Sequence, residues 1–499
     1  MRIGAASVRT LPLDWEGNHQ RIVSLIHKAQ QHQVELLVFP ELALSGYECG
    51  DFFWSPWVAE AAWESLQKLR EIVGNQIVIV GLPLRIHSKL YNAAAVLSQG
   101  KVWGFALKRY LPRDGVFYEP RWFEPAPPEP FIEPRSGVPA GYALPFQWGD
   151  LILTIEICED AWQPQRPLTQ HLTHIAVSLN ASPFEMEKAL RRQRLVEETS
   201  YRYQCVYAYA NLLGNEAGKL LYDGDLLIAW RGSLLAAGER FSYHDGELIW
   251  ADVSPEAIQA LHRPTLPPPQ KVIPLPTVPS ATPIVSGTGP MTAPRGTASR
   301  WAELTEAIAM GLWDYLWKSR SRGFVVSLSG GLDSAACAVL AHYALQKAKK
   351  TLSPVQYKQR LAYMDGAEPR IYTFYQATAQ SSEATYQRAK ALAEALGLPF
   401  HKWDLQPLVE SYEALVTSWL GRELSWEKDD IARQNLQARV RVPGIWMVAN
   451  LMGALLLTTS NRSELAVGYS TMDGDSSGGL APIAGIAKAD LREWALWAA

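Results

Sequence analysis

The stretch SLSGGLDSAAC at 327–337 combines glycine, serine and aspartate, residue types that can bind a charged ligand when they are closely spaced. It follows an apolar pair and leads into a run typical of a helix. A glycine pair lets the main chain approach a ligand closely, and its N–H groups with a helix N-terminus form an anion-binding concavity. Asp333 would repel phosphate unless a cation lies between them, so the turn predicts a polyphosphate bound with Mg²⁺. The alternative is a plain strand–helix turn.

In the upstream half of the chain, three residues have the side-chain types that nucleophilic catalysis requires. FPELALSGY places Glu41 after an apolar strand, KRYLPRDGVFYE begins with Lys108, and EICEDAW places Cys158 at a strand end. A thiol nucleophile needs a base for its proton and a cation for the oxyanion. Glu41 and Lys108 can fill those roles if both lie near the sulfur. Taken singly, each residue also suits an ordinary core or surface position, so the hypothesis depends on all three converging.

The overall composition restricts the class of protein. The chain has 499 residues, 48% hydrophobic and 19% charged, with a net charge of −3, which indicates two or three globular domains. The charge does not favour a nucleic-acid binder. Its four cysteines lack disulfide or metal spacing, which fits a reducing compartment. We see no signal peptide and no apolar run of about 18 residues, so the sequence predicts a cytoplasmic protein without a membrane span.

The pattern along the chain predicts two domains joined by a linker. Residues 1–260 alternate apolar strands with amphipathic helices. Residues 261–298 are dense in proline, threonine, serine and glycine, which predicts a linker or extended strap. Residues 299–499 show a parallel-sheet βαβ pattern built on GFVVSLS, IYTFYQAT and HKWDL. The charged segment KAKKTLSPVQYKQRLAYMDGAEPR at 347–370 is expected to be a solvated excursion.

The upstream half resembles the nitrilase, or carbon–nitrogen hydrolase, superfamily in its Glu–Lys–Cys order and flanking residues. The resemblance implies an αββα sandwich in which Glu41, Lys108 and Cys158 are catalytic. The positions that it implies for contacts with a glutamine substrate are Tyr47, Glu119, Trp162, Ser182 and Lys188.

The downstream half resembles NAD synthetases, which are adenylating enzymes of the ATP pyrophosphatase-loop type. The matching motifs are SGGLDS, QNLQARVR and TTSNRSELAVGYSTMDGDSSGGLAPIAGIAK. The resemblance implies a Rossmann-like parallel-sheet domain with Mg²⁺ held by Asp333 and Glu464. It assigns ATP to Ser329, Gly330, Gly331, Leu332, Asp333, Ser334, Arg439 and Thr459, and deamido-NAD to Asn435, Asp475 and Lys488.

The two halves together resemble the glutamine-dependent NAD synthetases, a family of ligases. The resemblance implies that ammonia from glutamine amidates ATP-adenylated deamido-NAD, releasing AMP and pyrophosphate, in a homo-oligomer. The chain ends about ten residues after Lys488, so the synthetase domain is expected to be short at its C-terminus. Three alternatives stay open: a nitrilase-type amidase with a regulatory nucleotide-binding domain, an amidating ligase for another acid, and a non-catalytic assembly subunit.

Overall fold

The computed structural model describes residues 1–262, 266–278 and 299–499. The chain divides into two compact units, Met1–Glu303 and Leu304–Ala499. No helix in the described part of the chain is long and apolar enough to cross a membrane.

Unit 1 contains two large sheets. The order of the first is β16-β1-β2-β3-β4-β5-β7-β6, and that of the second is β15-β14-β11-β10-β9-β8-β17, while β12 and β13 form a separate pair. The strands are β1 Arg2–Val8, β2 Leu36–Val38, β3 Ile77–Ile86, β4 Lys89–Ser98, β5 Lys101–Leu107, β6 Phe131–Ile132, β7 Pro139–Gly141, β8 Phe146–Trp148, β9 Leu151–Ile157, β10 Ile175–Asn180, β11 Val206–Asn211, β12 Leu213–Asn215, β13 Leu221–Asp223, β14 Leu226–Trp230, β15 Ser233–Ala237, β16 Gly246–Asp252 and β17 Ile273–Pro274.

In the described part of residues 1–262, four helices accompany these sheets, and three of them form the outer layers of the sandwich. Their bounds are α1 Trp15–Gln31, α2 Pro56–Ile72, α3 Lys188–Arg202 and α4 Pro255–Leu261. Helix α1 begins where the Asp14 carboxylate accepts the Gly17 N–H at 3.0 Å, a typical N-cap. Its buried residues recur at the three- and four-residue spacing of one helix face: Ile22, Leu25, Ile26 and Ala29.

The apolar cores of unit 1 show its layering. One core joins the facing sides of the two sheets, with Ile79 from the first and Val177 from the second among its members. A second core packs α1 and α2 on the outer face of the first sheet, and a third packs α3 on the outer face of the second. The predicted αββα sandwich is therefore confirmed.

Unit 2 is built on a four-stranded parallel sheet in the order β20-β19-β18-β21. Val325, Phe374 and Leu456 of this sheet form a core with Ile445 and Ala449 from one helix, as in a Rossmann-like layer. The elements are α5 Arg300–Lys318, β18 Gly323–Ser327, α6 Leu332–Thr351, α7 Pro354–Arg360, β19 Arg370–Ala377, α8 Glu383–Ala395, β20 Phe400–Asp404, α9 Gln406–Leu420, α10 Asp430–Arg439, α11 Val442–Met452, β21 Leu455–Leu456, α12 Arg462–Val467 and α13 Lys488–Ala498.

The prediction that residues 347–370 form a solvated excursion is wrong in part. Helix α7 lies within it and begins at a capping box formed by Ser353 and Gln356. Tyr357 is buried and stacks on Trp313 with ring centroids 5.6 Å apart. Leu361 and Met364, in the turn that follows α7, are also buried, and with Tyr357 they have the i, i+4, i+7 spacing of apolar positions within the charged segment.

The proline-rich segment predicted as a linker at 261–298 lies partly outside the described residues, at 263–265 and 279–298. In the part that is described, Ile273–Pro274 pairs in parallel with β8 and extends the second sheet of unit 1.

Candidate active sites

Strand ends bring the three predicted catalytic residues of unit 1 together. Lys108 immediately follows β5, and Cys158 immediately follows β9. Glu41 lies in a turn just beyond β2, and this turn packs directly against Gly81 of β3. A Cβ atom at Gly81 would come within 2.4 Å of the Leu42 nitrogen, so only glycine admits the turn at this depth.

The charged groups of this site form a buried network centred on Lys108. Its Nζ donates to Glu41 Oε1 at 2.6 Å and to Glu119 Oε1 at 2.7 Å, and all three side chains are buried. Asn92 Nδ2 also donates to Glu41 Oε1 at 2.7 Å, and the Ala181 N–H donates to Glu41 Oε2 at 2.9 Å. These bonds fix the Glu41 carboxylate, as a general base requires.

The pKa shifts follow from burial and from neighbouring charges. Burial raises the pKa of the Cys158 thiol, with Glu41 adding to the rise and Lys108 opposing it. The Cys158 side chain is therefore a thiol at rest, and it would need a base to act as the predicted nucleophile. Burial alone would lower the pKa of Lys108, but Glu119 and Glu41 outweigh it and raise that pKa, which keeps the ammonium charged. Burial raises the pKa of Glu119 to about 7, against the lowering effect of Lys108.

The backbone at Cys158 is strained. Its φ of 46° lies in the left-handed region, which costs a side-chain-bearing residue about 1–3 kcal/mol. A short 3₁₀ helix, Cys158–Trp162, begins at this residue. The strain occurs at the predicted nucleophile, where a sharp strand-to-helix turn sets the direction of the thiol.

The predicted glutamine contacts are distributed around this network. Tyr47 donates its hydroxyl to Glu119 Oε1 at 2.5 Å, so these two are in direct contact. Ser182 is buried one residue after Ala181, and Trp162 is 44% exposed at the end of the 3₁₀ helix. Lys188 is the first residue of α3, where its Nζ pairs with Glu185 at 2.9 Å and not with the central network.

Three supporting residues were missed from the sequence. Asn92 holds Glu41, as described above. Asp160, buried two residues after the thiol, accepts the Tyr110 N–H at 2.8 Å and the Arg109 N–H at 3.2 Å, which ties the thiol-bearing turn to the chain just after Lys108. Glu216 accepts the main-chain N–H of Tyr47 at 3.0 Å. None of these has a local sequence signal, because each contact joins segments far apart in the chain.

The SGGLDS turn of unit 2 lines a cavity of about 470 Å³. The turn connects β18 to α6, and Gly330 has a φ of 77° and lies so close to α8 that a Cβ would come within 2.2 Å of the Thr385 oxygen. The Ser334 hydroxyl lies 3.0 Å from that of Ser329 and accepts the Ser329 N–H at 3.2 Å. Gly330 therefore allows both the tight turn and the close approach of this turn to α8.

Six of the residues predicted to bind ATP, deamido-NAD or Mg²⁺ line this cavity, whereas Asn435, Arg439 and Lys488 are not among its lining residues. Asn435 accepts the Thr471 hydroxyl at 2.9 Å, and Arg439 is exposed and donates to the Met472 carbonyl at 3.0 Å. Lys488 pairs with Asp333. The residues predicted from the sequence that line the cavity are Ser329, Asp333, Ser334, Thr459, Glu464 and Asp475.

The two predicted metal ligands fit Mg²⁺ only in combination with a substrate. Asp333 and Glu464 both line the cavity and supply carboxylate oxygens, the donor type that Mg²⁺ prefers. Among the described residues, no group of three or more histidine, cysteine or acidic side chains could hold a metal alone. Two carboxylates plus phosphate oxygens and water are the set that Mg²⁺ uses with nucleotides, so the residues fit the ion.

Family models match both halves of the chain. Residues 2–263 match carbon–nitrogen hydrolase, and residues 304–499 match NAD synthase. A glutamine-dependent NAD(+) synthetase of Bos taurus is 30% identical, with 98% of this chain and 77% of the relative covered. The chain belongs to the glutamine-dependent NAD(+) synthetase family.

Solved structures agree with this membership. The crystal structure of a glutamine-dependent NAD(+) synthetase from Cytophaga hutchinsonii is 37% identical with a TM-score of 0.85, covering 100% of this chain and 81% of that one. Another family member, from Acinetobacter baumannii in complex with ADP, is 23% identical with a TM-score of 0.79 over 100% of this chain and 82% of that one, and shows the fold. The Rossmann-like second domain predicted from the sequence is confirmed together with the nitrilase-type first domain.

Proposed function

We propose that the chain makes NAD from deamido-NAD, ATP and glutamine, with the Glu41, Lys108 and Cys158 site releasing the ammonia. The observation that carries the glutaminase half is Lys108, held between two buried carboxylates beside a strained cysteine. A fixed base, a fixed cation and a buried thiol are what cysteine-based amide hydrolysis needs.

In unit 1, Glu41 takes the proton of Cys158 and the thiolate attacks the side-chain amide carbon of glutamine. Lys108 stabilises the oxyanion of the tetrahedral intermediate. The proton held by Glu41 passes to the leaving nitrogen, and ammonia departs to leave a thioester. Glu41 then activates water, which releases glutamate and regenerates the thiol. Among the described residues, the buried Glu119 Oε2 has no hydrogen-bond partner. This unpaired oxygen supports the proposal that Glu119 accepts an N–H of the glutamine amide.

In unit 2, the nicotinate carboxylate of deamido-NAD attacks the α-phosphorus of ATP and displaces pyrophosphate. Ammonia then attacks the activated carbonyl, and AMP leaves with NAD formed. Ser329, Ser334 and the main chain of the turn bind the departing pyrophosphate. Asp333 and Glu464 would hold Mg²⁺, which would neutralise phosphate charge when bound.

The assembly and the cellular setting belong to the same proposal. One side of α9 presents Leu408, Tyr412, Leu415 and Trp419, which are between 50% and 84% exposed and lie at helical spacing. An exposed apolar stripe supports the homo-oligomer that the family resemblance implies. All four cysteines are free, which suits a reducing compartment such as the cytoplasm.

The test measures AMP, pyrophosphate and NAD with purified chain, Mg-ATP and deamido-NAD, supplied with glutamine or ammonium. The proposal expects all three products with either donor, at a ratio of one to one to one. Glutamate release without AMP would instead support an amidase with a regulatory nucleotide-binding domain. AMP formation with another carboxylic acid but not with deamido-NAD would support a ligase for that acid. No glutamate and no AMP would support a non-catalytic subunit.

A further inference from the structure

The unit 2 cavity is lined by more negatively charged than positively charged side chains. Three carboxylates line it, from Asp333, Glu464 and Asp475. Among the described residues that line this cavity, Arg441 is the only arginine or lysine. The sequence prediction had singled out Arg439, two residues earlier in QNLQARVR, which is exposed and donates to a main-chain carbonyl.

The guanidinium of Arg441 is held by neutral groups. Nη1 donates to the Gln437 carbonyl at 2.6 Å, and Nε donates to the Gln376 carbonyl at 3.5 Å. Nη2 lies 3.5 Å from the Thr378 hydroxyl. No carboxylate of the described chain lies within 4.0 Å of it. Burial lowers the pKa of Arg441, and Asp475 opposes that effect only from a longer range.

Among the described residues, the Arg441 guanidinium therefore has no counterion in direct contact. Removing a charge from water is costly unless an opposite charge compensates it. The carbonyl bonds fix the side chain at the junction between α10 and α11, so its remaining N–H groups have a set direction. A planar guanidinium fork matches the oxygens of a phosphate group better than those of any neutral ligand.

We propose that Arg441 binds a phosphate group of the ATP that occupies this cavity. The inference rests on the proposed function and adds a residue that the sequence did not assign. ATP is favoured over the diphosphate of deamido-NAD because the same cavity is lined by Ser329, Asp333 and Ser334 of the SGGLDS turn. Arg441 would therefore complement the negative charge that the turn's N–H groups and Mg²⁺ only partly neutralise.

The experiment measures, by calorimetry on the full chain, the binding of three probes to the wild type, Arg441→Met and Arg441→Lys. The probes are a non-hydrolysable ATP analogue with Mg²⁺, adenosine, and deamido-NAD. A charged hydrogen-bonded contact predicts that Arg441→Met weakens the analogue roughly 10- to 100-fold. Arg441→Lys keeps the charge but loses the fork, so its loss is expected to be smaller. Adenosine, which has no phosphate, should bind both variants as it binds the wild type.

Arg388→Met is the matched control, since Arg388 is exposed on α8 and, among the residues the structure describes, donates only to the Ala384 carbonyl. Its affinity for the analogue should stay at the wild-type value. Equal loss of adenosine and analogue in both Arg441 variants would overturn the proposal in favour of a structural role. Loss confined to deamido-NAD would overturn it by moving the phosphate contact to the other substrate. A wild type that binds no analogue at all would instead count against the proposed function.

Discussion

The two candidate active sites differ in how their charges are neutralised. In unit 1, Lys108 already has two buried carboxylate partners, and the predicted base Glu41 accepts three fixed hydrogen bonds, from Lys108, Asn92 and Ala181. In unit 2, Lys488 pairs with Asp333, and Arg441 has only neutral partners among the described residues. The charged groups of the first site are held together by the protein alone, whereas the second site would be completed by the charges of its substrates.

The difference follows from the chemistry of each substrate. Glutamine brings a neutral amide to its reacting end, so the base and the oxyanion cation must be supplied and balanced by the chain. ATP and deamido-NAD bring several negative charges, so their phosphates can supply the counter-charge that Arg441 lacks, and Mg²⁺ would balance the carboxylates of Asp333 and Glu464.

The largest effect is expected from Glu41→Gln. The glutamine amide would keep much of the volume but could not take the thiol proton, so glutamate release should fall about 10²- to 10⁴-fold. Ammonium-dependent NAD formation should stay near the wild-type rate. Glu60→Gln is the control, because Glu60 is exposed and pairs only with Arg135. Equal loss of both reactions in Glu41→Gln would break the separation between the two sites.

A smaller effect is expected from Ser182→Ala. The Ser182 hydroxyl accepts bonds from Arg192 Nη2 at 3.1 Å and Nε at 3.3 Å, so its own hydrogen is available to a substrate. Loss of a hydrogen bond to a charged substrate group should raise the KM for glutamine roughly tenfold with little change in kcat. Ser182→Thr, which keeps the hydroxyl, should restore most of the affinity. A fall in kcat with unchanged KM would contradict a substrate-binding role.

A few-fold effect is expected from Lys488→Met. The Lys488–Asp333 pair is partly exposed, and such pairs contribute about 0.2–1 kcal/mol. Removing the lysine should therefore tighten binding of Mg²⁺ with an ATP analogue by less than about fivefold, while deamido-NAD binds more weakly. Calorimetry with each ligand separately checks both directions. Weaker binding of the Mg²⁺ complex would show that the lysine helps the metal site instead of competing with it.

The smallest effect concerns pH and Glu119. The folded-state pKa of this carboxyl is about 7, raised by burial from 4.5, so the folded form holds the proton more tightly than the unfolded chain. This stabilisation is fully present below about pH 4.5 and is lost as the pH rises to about 7. The thermal midpoint of the wild type should therefore fall by a few degrees relative to Glu119→Gln across that window. Midpoints that run parallel in the two proteins would contradict the raised pKa.

Much of the fold could be predicted from the sequence because buried strands have long apolar runs. Segments such as QIVIVGLPL and LILTIEIC correspond to β3 and β9, and the predicted nucleophile Cys158 immediately follows β9. The helix α7 was missed because its charged residues hid the buried Tyr357, while the other two apolar positions, Leu361 and Met364, lie just beyond its C-terminus.

The candidate sites were only partly predictable, because supporting contacts have no local pattern. Asp160 and Glu216 act on main-chain N–H groups of distant segments, which the sequence cannot identify. In QNLQARVR, two arginines of the same type lie two residues apart. Only the turn from α10 into α11 decides that Arg441 lines the cavity and that Arg439 does not. The assignments of the site residues themselves remain predictions for the experiments above.

The most direct test of the two-site account compares NAD formation from glutamine and from ammonium in Cys158→Ala. Cys205→Ala is the matched control, because Cys205 is also a buried, free cysteine of unit 1 but packs in the core beneath α3. The account predicts that Cys158→Ala loses the glutamine-dependent reaction and keeps the ammonium-dependent one, while Cys205→Ala keeps both. Glutamine-dependent NAD formation that persists in Cys158→Ala would contradict the account.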